Sequence, residues 1–367
     1  MGGMQDADSR ALKRTGFRAV VRRTTHQVIR HRVVDAAASL TFFATLTAFP
    51  TALTVVSAVS ILDRSGDTIT DIIQILGAII RPETARHLET PLRQLTALDS
   101  PELALAIGLL LTLWSLSGYA TAFGRAMNTA YEVEEGRRIW KFRSMMLLVT
   151  MLIMVGGAVA ITILLGTPTA VATVVHRMGW PAWLEGLWDV GKWPVLLATL
   201  VVMVGVLYYA TPNVRAPHLR WVSAGAGFAI GTWALATLGF VVYVKTIGSI
   251  NHAYGWLGGA ILLLVYLYIS NFVLVVGGEL DSEIIRMRQL FAGVEADATI
   301  RLPLRDVRRN FALARWHDHD VATARQVRLA AAELPEPDPE TEREEQRLRD
   351  LANQVRVRAD ERPLPTD

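Results

Sequence analysis

Residues 260–278 of the chain read AILLLVYLYISNFVLVVGG, nineteen consecutive positions without a charged side chain. They belong to an uncharged run from 247 to 278. Five more runs without Asp, Glu, Lys or Arg lie at 36–62, 103–124, 144–175, 193–214 and 221–244. About 20 apolar residues in a helix cross the hydrocarbon core of a bilayer, which is roughly 30 Å thick. We therefore predict an all-α polytopic membrane bundle with six spans, at about 36–62, 103–124, 144–168, 194–212, 221–244 and 257–280.

The composition fits a membrane protein. Hydrophobic residues make up 51% of the 367 positions and charged residues only 19%, below the roughly 25% usual in soluble domains. The absence of cysteine excludes disulfides, thiol nucleophiles and thiolate metal sites. The 27-residue run at 36–62 is too long for the apolar core of a signal peptide, so we expect a retained first helix.

The distribution of Lys and Arg predicts the orientation. Basic residues precede the first span, follow the sixth, and fill the connections between spans two and three and between spans four and five. The positive-inside rule then places both termini in the cytoplasm and the chain in a bacterial cytoplasmic membrane. The formal charge is only +3. Anionic lipid accounts for these basic residues, and we expect no nucleic-acid partner.

We predict three regions: a basic cytoplasmic segment at 1–35, a transmembrane domain at 36–290, and a cytoplasmic tail at 291–367. The Pro- and Glu-rich part of the tail, 333–345, is typical of disorder. Between the first two spans, Ile69, Ile72, Ile73, Leu76, Ile79 and Ile80 recur at i, i+3, i+4, i+7 spacing. This spacing predicts an outer amphipathic helix that either lies on the leaflet or caps the bundle.

Several segments together resemble one family. They are AASLTFFATLTAFP at 37–50, WSLSGYATAFGRAMNTAYE at 114–132, RRIWKFR at 137–143, YYATPN at 208–213, Tyr-Gly at 254–255 and GGELD at 277–281. In this order the set resembles the YihY/BrkB family of bacterial inner-membrane proteins, over roughly 17–290. The resemblance implies a transport-related membrane protein, with lipids among the suspected substrates. It also brings an older ribonuclease BN label.

Two features of the spans suggest a substrate route. Pro50 removes a backbone hydrogen bond inside the first span, and the resulting kink serves either a hinge or close packing. Acids near a helix C-terminus oppose the macrodipole, so Glu279 and Asp281 need compensation, for which Arg125, Arg137 and Arg220 are candidates. The polar residues at the ends of spans two and six form either a gate or a set of interfacial salt bridges. Gly227-x-x-x-Gly231 favours close helix packing.

We assign to a substrate pathway or gate Pro50, Arg125, Asn128, Tyr131, Tyr208, Pro212, Asn213, Tyr254, Asn271, Glu279 and Asp281. We assign no catalytic residue, no metal ligand and no cofactor. His317-Asp318-His319-Asp320 is the one metal-like stretch, and a solvated tail explains it better than a site with convergent ligands.

The sequence predicts a transporter or translocator of a lipid or other amphiphile. We expect membrane lipids as partners, and a homo-oligomer is compatible with the sequence. The middle of each span lacks an acid, which disfavours ion coupling through a central carboxylate. The alternative is a membrane scaffold that organises the envelope through its tail. A membrane-associated ribonuclease comes third and is disfavoured, so we expect no enzyme.

Overall fold

The fold comes from a computed structural model that describes residues 2–62, 100–166, 178–215, 223–247 and 251–332, with short pieces at 171–172, 175–176, 343–344 and 346–347. Within these residues the structure has no β-strand. Its eight helices are α1 (Gly2–Arg30), α2 (Val33–Leu62), α3 (Pro101–Ala130), α4 (Ile139–Leu165), α5 (Trp183–Ala210), α6 (Ala224–Ile247), α7 (Asn251–Phe291) and α8 (Arg308–Ala332). The predicted amphipathic helix at 69–80 and the predicted disordered segment at 333–345 lie outside the described residues, apart from two positions of the latter.

Six of these helices, α2 to α7, are long and apolar enough to cross a membrane, which confirms the predicted six-span bundle. Large apolar side chains such as Leu110, Trp114 and Leu235 point away from the protein interior, as lipid-facing residues do. The bundle is therefore apolar on its outside as well as at its core.

The helices extend beyond the uncharged runs. α5 begins at Trp183, eleven residues before the predicted start at 194, and α7 continues to Phe291. Charged residues are tolerated in these extensions because they lie at helix ends, where they can pair with one another. Lys192 donates to Asp189 over 3.1 Å, one helical turn away.

α1 adds a helix to the segment that the sequence marked only as basic. Its buried positions Val20, Thr24 and Gln27 recur at helical spacing, and the helix packs against α7. Arg32 takes a left-handed conformation (φ 51°) in the turn that follows, and α2 begins at Val33.

Small residues set the helix spacing in the bundle. α2 lies against α3 where Gly108 faces Thr54 and Gly118 faces the ring of Phe43. α6 meets α7 at Gly225 and Gly277. The expectation that Gly227 and Gly231 mediate packing is wrong: both are exposed, and no atom lies within 4 Å of a Cβ built at Gly231. Close packing does involve α6, but the Gly227-x-x-x-Gly231 motif faces outward.

The chain divides into two units, Met1–Arg309 and Asn310–Asp367. Residues 291–309, which the sequence placed in the tail, fall in the first unit. There they return to the ends of the spans: the amide of Arg215 donates to the carbonyl of Pro303 over 2.8 Å, beside an antiparallel bridge between Val214 and Leu304.

Candidate functional site

We use the term polar end for one end of the bundle. It is made of α1, the turn that follows it and the start of α2, the end of α3, residues 275–291 of α7, and the connecting segments 131–138, 211–215 and 292–307. It contains most of the buried charged and amide side chains among the described residues. A partly open cleft of about 170 Å³ lies here between α2, α3 and α7. Its walls are His31, Val33, Ala36, Ser39, Ala122, Arg125, Ala126, Thr129, Val275 and Glu279.

Glu279 is the acid at the base of this cleft. Its side chain is 1% exposed, and its two oxygens lie 2.9 and 3.1 Å from Nδ1 of His31. A carboxylate this deep requires a partner, because an unpaired buried charge is strongly destabilising. The expectation that Arg125 or Arg137 compensates Glu279 is wrong, since His31, 248 residues earlier in the chain, supplies the contact. Arg220 lies outside the described residues.

The expectation of an unfavourable helix dipole at Glu279 and Asp281 is also wrong. α7 does not end near Asp281 but runs about three turns further, to Phe291, so both acids are interior to it. Asp281 instead lies at the start of α6. It accepts a hydrogen bond from the Gly225 amide at 3.3 Å and one from the Tyr131 hydroxyl at 2.9 Å. A helix N-terminus favours a carboxylate.

Tyr131 keeps its proton at this position. Burial and the negative charge of Asp281 raise the pKa of the Tyr131 hydroxyl well above its usual range. The hydroxyl is therefore a constant donor that joins the end of α3 to α7, which is a structural role.

A second ion-pair group joins α1 to α7. Arg23 donates to Glu283 over 2.9 Å, and Arg286 donates to Glu283 over 3.3 Å and to Glu132 over 2.7 Å. Gln27 also donates to Glu132, over 3.1 Å. This group was not predicted from the sequence. Its signal is present, however, because Glu279, Glu283 and Arg286 share one face of α7, and Arg23 and Gln27 share one face of α1. His31 follows Gln27 at the same spacing, in the turn after α1.

Asn213 is fully buried and hydrogen-bonded through every polar group of its side chain. Its Nδ2 donates to the carbonyls of Glu134 and Asp306, and its Oδ1 accepts from the Asp306 amide. Its own amide donates to Asn128 Oδ1 over 2.7 Å. Asn128 and Asn213 therefore lie in a closed hydrogen-bond network, apart from the residues that line the cleft. Pro212, which precedes Asn213, is buried.

The same network contains Arg137, which is 2% exposed. It holds Glu135 through two hydrogen bonds of 2.7 and 2.6 Å and donates to the carbonyl of Thr211. Burial alone would raise the pKa of Glu135, but the hydrogen bonds and charge of Arg137 outweigh it and hold that pKa below its usual range. This ion pair fixes the 131–138 connection against the end of α5.

Other pathway candidates lie deeper in the bundle. Tyr119 donates to Asn271 over 2.9 Å, and Asn271 donates to Thr41 over 3.2 Å. The Tyr208 hydroxyl donates to the carbonyl of Leu274, and the Tyr208 ring lies 5.7 Å from that of Phe123. Pro50 lies within α2, which continues unbroken past it. The side chain of Tyr254 lies outside the described residues.

The structure thus brings Arg125 and Glu279 together in one cleft and distributes the other assigned residues over separate contacts. His317 to Asp320 lie on α8 with exposed side chains. Across the described parts of the chain, no group of three or more His, Asp or Glu side chains could hold a metal ion.

The segments that form this site coincide with a family match. The model of the family described as virulence factor BrkB matches residues 24–298, from α1 through α7 and into the returning segment. The chain belongs to the BrkB family. It is an integral membrane protein, and the match includes every residue that lines the cleft.

Individual relatives agree with this membership. The ribonuclease-like protein YfkH of Bacillus subtilis (strain 168) is 26% identical over 262 residues, which is 71% of this chain and 93% of YfkH. A UPF0761 membrane protein of Laribacter hongkongensis is 25% identical over 74% of this chain and 61% of its own length. One of Alkalilimnicola ehrlichii is 31% identical over 47% of this chain and 38% of its own length. No solved structure matches the chain.

Proposed function

We propose that this BrkB-family protein moves a lipid or other amphiphile across the bacterial cytoplasmic membrane. The observation that supports this is the cleft at the polar end, whose wall combines charged groups with apolar side chains. Arg125, His31 and Glu279 supply ionisable groups, whereas Val33, Ala36 and Val275 supply apolar surface. A headgroup and the first part of an acyl chain require this combination.

The position of the cleft suits such a ligand. It lies between the beginning of α2, the last turns of α3 and residues 275–279 of α7. Glu279 follows the uncharged part of α7 directly, so the cleft lies where apolar span gives way to charged helix. Lipid headgroups occupy the same depth in a bilayer. We infer from the basic connections that this end faces the cytoplasm, with both termini on the same side.

The test is movement of labelled lipids in proteoliposomes that contain the purified full-length chain. Wild type is compared with empty liposomes, with Glu279→Gln and with Pro50→Ala. The proposal predicts movement above the background and a reduction in Glu279→Gln, because that change replaces the carboxylate whose two oxygens hold His31. Exposed Arg138→Gln, on the same end but outside the cleft, is the control and keeps wild-type movement. No movement of any lipid across a broad panel of headgroups would contradict the proposal.

A scaffold function is the second candidate, and α8 favours it. Phe311, Trp316 and Val327 are exposed on this helix, and a partner that covered them would remove apolar surface from water. The two functions separate in a chain that ends at Arg309. A translocator still moves lipids when residues 310–367 are removed. A scaffold that acts through its tail loses its effect in the cell when the same residues are removed.

A ribonuclease function has less support than either. The name of YfkH describes a ribonuclease-like protein, but His317 to Asp320 are successive positions on one exposed helix, which spreads their side chains around its axis. Double substitution His317→Ala and His319→Ala tests it. RNA cleavage by the purified chain that disappears in this variant would favour the enzyme.

A further inference from the structure

We propose that the cleft binds the phosphate group of an anionic amphiphile, with Arg125 as the main ligand and His31 as a second donor. This inference rests on the proposed function for the idea that the cleft takes a headgroup, and it adds the chemical class of that headgroup. It follows from the charges that remain free in the cleft once each internal pair has been identified.

Arg125 is the charge that remains available. The arginines that hold the polar end together all have partners, as Arg137, Arg286 and Arg305 show. The side chain of Arg125 is exposed in the cleft wall, and no hydrogen bond or ion pair to it occurs among the described side chains. A planar guanidinium with free N–H groups matches the oxygen spacing of a phosphate, which it binds through two hydrogen bonds.

Glu279 does not offset this charge. Its carboxylate is buried, and both of its oxygens are already engaged by His31. Arg125 is therefore the cation of the cleft wall that has no partner among the described side chains. An ammonium headgroup would meet Arg125 without an available acid, whereas an anion would meet a free cation.

The chain on either side of His31 has the same sign of charge. Arg30 and Arg32 flank His31, and both are exposed. The one acid nearby in sequence is Asp35, also exposed, at the start of α2. Close to His31 in the chain there are thus two exposed cations and one exposed anion, an excess of positive charge that favours the approach of an anion.

His31 is oriented for a second contact. Glu279 engages Nδ1, which fixes the ring, and Nε2 makes no hydrogen bond within the described part of the chain. A ring that is fixed through one nitrogen holds its other nitrogen in a set direction, where it is available for a second contact. Arg125 and His31 thus present donors to one cleft from α3 and from the turn before α2.

The apolar wall of the cleft favours a phosphate-bearing lipid over free phosphate as the ligand. Val33, Ala36, Ala122 and Val275 line the same cleft as Arg125. An acyl chain gains binding free energy against these side chains, because its CH₂ groups leave water there. A free phosphate gains nothing from them, so a phosphate-bearing lipid should bind more tightly than the phosphate group alone.

The experiment measures binding directly on the purified full-length chain in neutral detergent, by titration calorimetry. The probes are short-chain phosphatidic acid, glycerol phosphate, inorganic phosphate and a short-chain trimethylammonium amphiphile. Wild type should bind phosphatidic acid with the smallest Kd and should not bind the cationic amphiphile. Equal Kd values for phosphatidic acid and inorganic phosphate would mean that the cleft does bind phosphate, but that its natural ligand is the free anion and not a lipid. Tighter binding of the cationic probe would overturn the inference.

The variants test the residues. Arg125→Gln should raise the Kd for phosphatidic acid at least tenfold, whereas Arg125→Lys, which keeps the charge but loses the planar fork, should raise it less. Arg138→Gln, the matched exposed arginine, should leave the Kd unchanged. Ser39→Trp, which fills the cleft from α2, should also abolish binding. Unchanged affinity in Arg125→Gln and in Ser39→Trp would overturn the inference, and an unchanged elution volume and melting temperature show that each variant is folded.

Binding and lipid movement distinguish the phosphate site from the translocator function. If phosphatidic acid binds through Arg125 but no lipid moves in proteoliposomes, the phosphate site is supported and the translocator function is rejected. Lipid movement that Arg125→Gln leaves intact would keep the translocator and reject the phosphate site.

Discussion

Asn213 shows how one uncharged side chain can hold three chain segments together. It joins the 131–138 connection, the end of α5 and the returning segment before α8 through backbone groups of Glu134 and Asp306. From the sequence, Asn213 was assigned to a substrate route because polar groups near a membrane are often functional. Its closed hydrogen bonding instead favours a structural role, which mutation can test.

We predict that Asn213→Ala destabilises the fold strongly without a specific effect on ligand affinity. The change leaves the carbonyls of Glu134 and Asp306 and the amide of Asp306 without their partner, at about 1–3 kcal/mol for each group that stays buried. Thermal unfolding in detergent, followed by tryptophan fluorescence, measures the change. Glu134→Gln alters an exposed side chain in the same connection and should leave the melting temperature unchanged. An Asn213→Ala protein as stable as wild type would show that the network is dispensable.

Glu135 predicts the pH dependence of stability at the polar end. Its pKa in the folded state lies below the ordinary value of 4.5 because Arg137 outweighs the effect of burial. The stability that Glu135 supplies is therefore fully present above about pH 4.5 and is lost as the pH falls through the folded-state pKa. Melting temperatures between pH 7 and pH 3 should fall less steeply at the acidic end in Glu135→Gln than in wild type.

Asp306 also contributes to the dependence of the melting temperature on pH. The backbone amide of Arg308 and the side chain of Lys141 lower the pKa of Asp306, so some acid sensitivity should remain in Glu135→Gln. An identical pH profile for wild type and Glu135→Gln would mean that the Arg137 pair does not contribute to stability. Glu134→Gln again serves as the control and should keep the wild-type profile.

At the scale of single elements, α6 and α7 show what small residues do in this bundle. A methyl group at Gly225 would meet the carbonyl oxygen of Gly277 and lie 2.6 Å from Cβ of Asp281. A methyl group at Gly277 would lie 2.6 Å from the Tyr208 hydroxyl and 2.7 Å from Cβ of Ala229. The two backbones are therefore in contact, and neither helix can accept a Cβ there without moving.

We predict that Gly225→Ala and Gly277→Ala each lower stability by about 1–3 kcal/mol, the usual range for overpacking. Gly231→Ala is the matched control on the same helix, because no atom lies within 4 Å of its added carbon. It should leave stability unchanged or raise it slightly, since alanine favours a helix over glycine. Thermal unfolding of the three variants in one detergent measures these differences. A loss in Gly231→Ala equal to that in Gly225→Ala would indicate that helix separation is not the cause.

The ion pairs between α1 and α7 are contacts that the sequence alone does not predict. The four-residue spacing of Arg23, Gln27 and His31 is visible in the sequence, and so is the helical spacing of Glu279, Glu283 and Arg286 on α7. Their pairing is not, because the His31–Glu279 contact spans 248 residues and depends on how the whole bundle closes. Arg125 was instead a candidate partner for Glu279, because it lies near a span end in the same set of motifs. Local periodicity identifies a helix face, and tertiary packing selects its partner.

For the whole molecule, hydropathy was sufficient to predict the six spans because the bilayer imposes one length on all of them. It did not predict α1, whose residues are too polar for a span, or the return of residues 292–307 to the bundle. Those features depend on hydrogen bonds such as Arg305 to the carbonyl of Val214, at 2.8 Å, which leave no periodic signal in the sequence. Interior packing likewise placed Gly225 in the helix contact rather than Gly227 and Gly231, since hydropathy does not distinguish the faces of an apolar helix.

Orientation is the remaining property of the whole molecule, and the lack of cysteine in the chain makes it measurable without a background. Glu134→Cys lies on the polar end and Met178→Cys in the connection between α4 and α5, and both side chains are exposed. Of the six spans, α4 alone separates residues 134 and 178, so these two positions must lie on opposite sides of the membrane. Because the basic connections favour the cytoplasm, a membrane-impermeant maleimide should label Met178→Cys in intact spheroplasts and Glu134→Cys only after the membrane is permeabilised. The reverse pattern would place the cleft on the outer side and make Arg125 a receptor for anions that arrive from outside the cell. Labelling of both positions from one side would contradict the span assigned to α4.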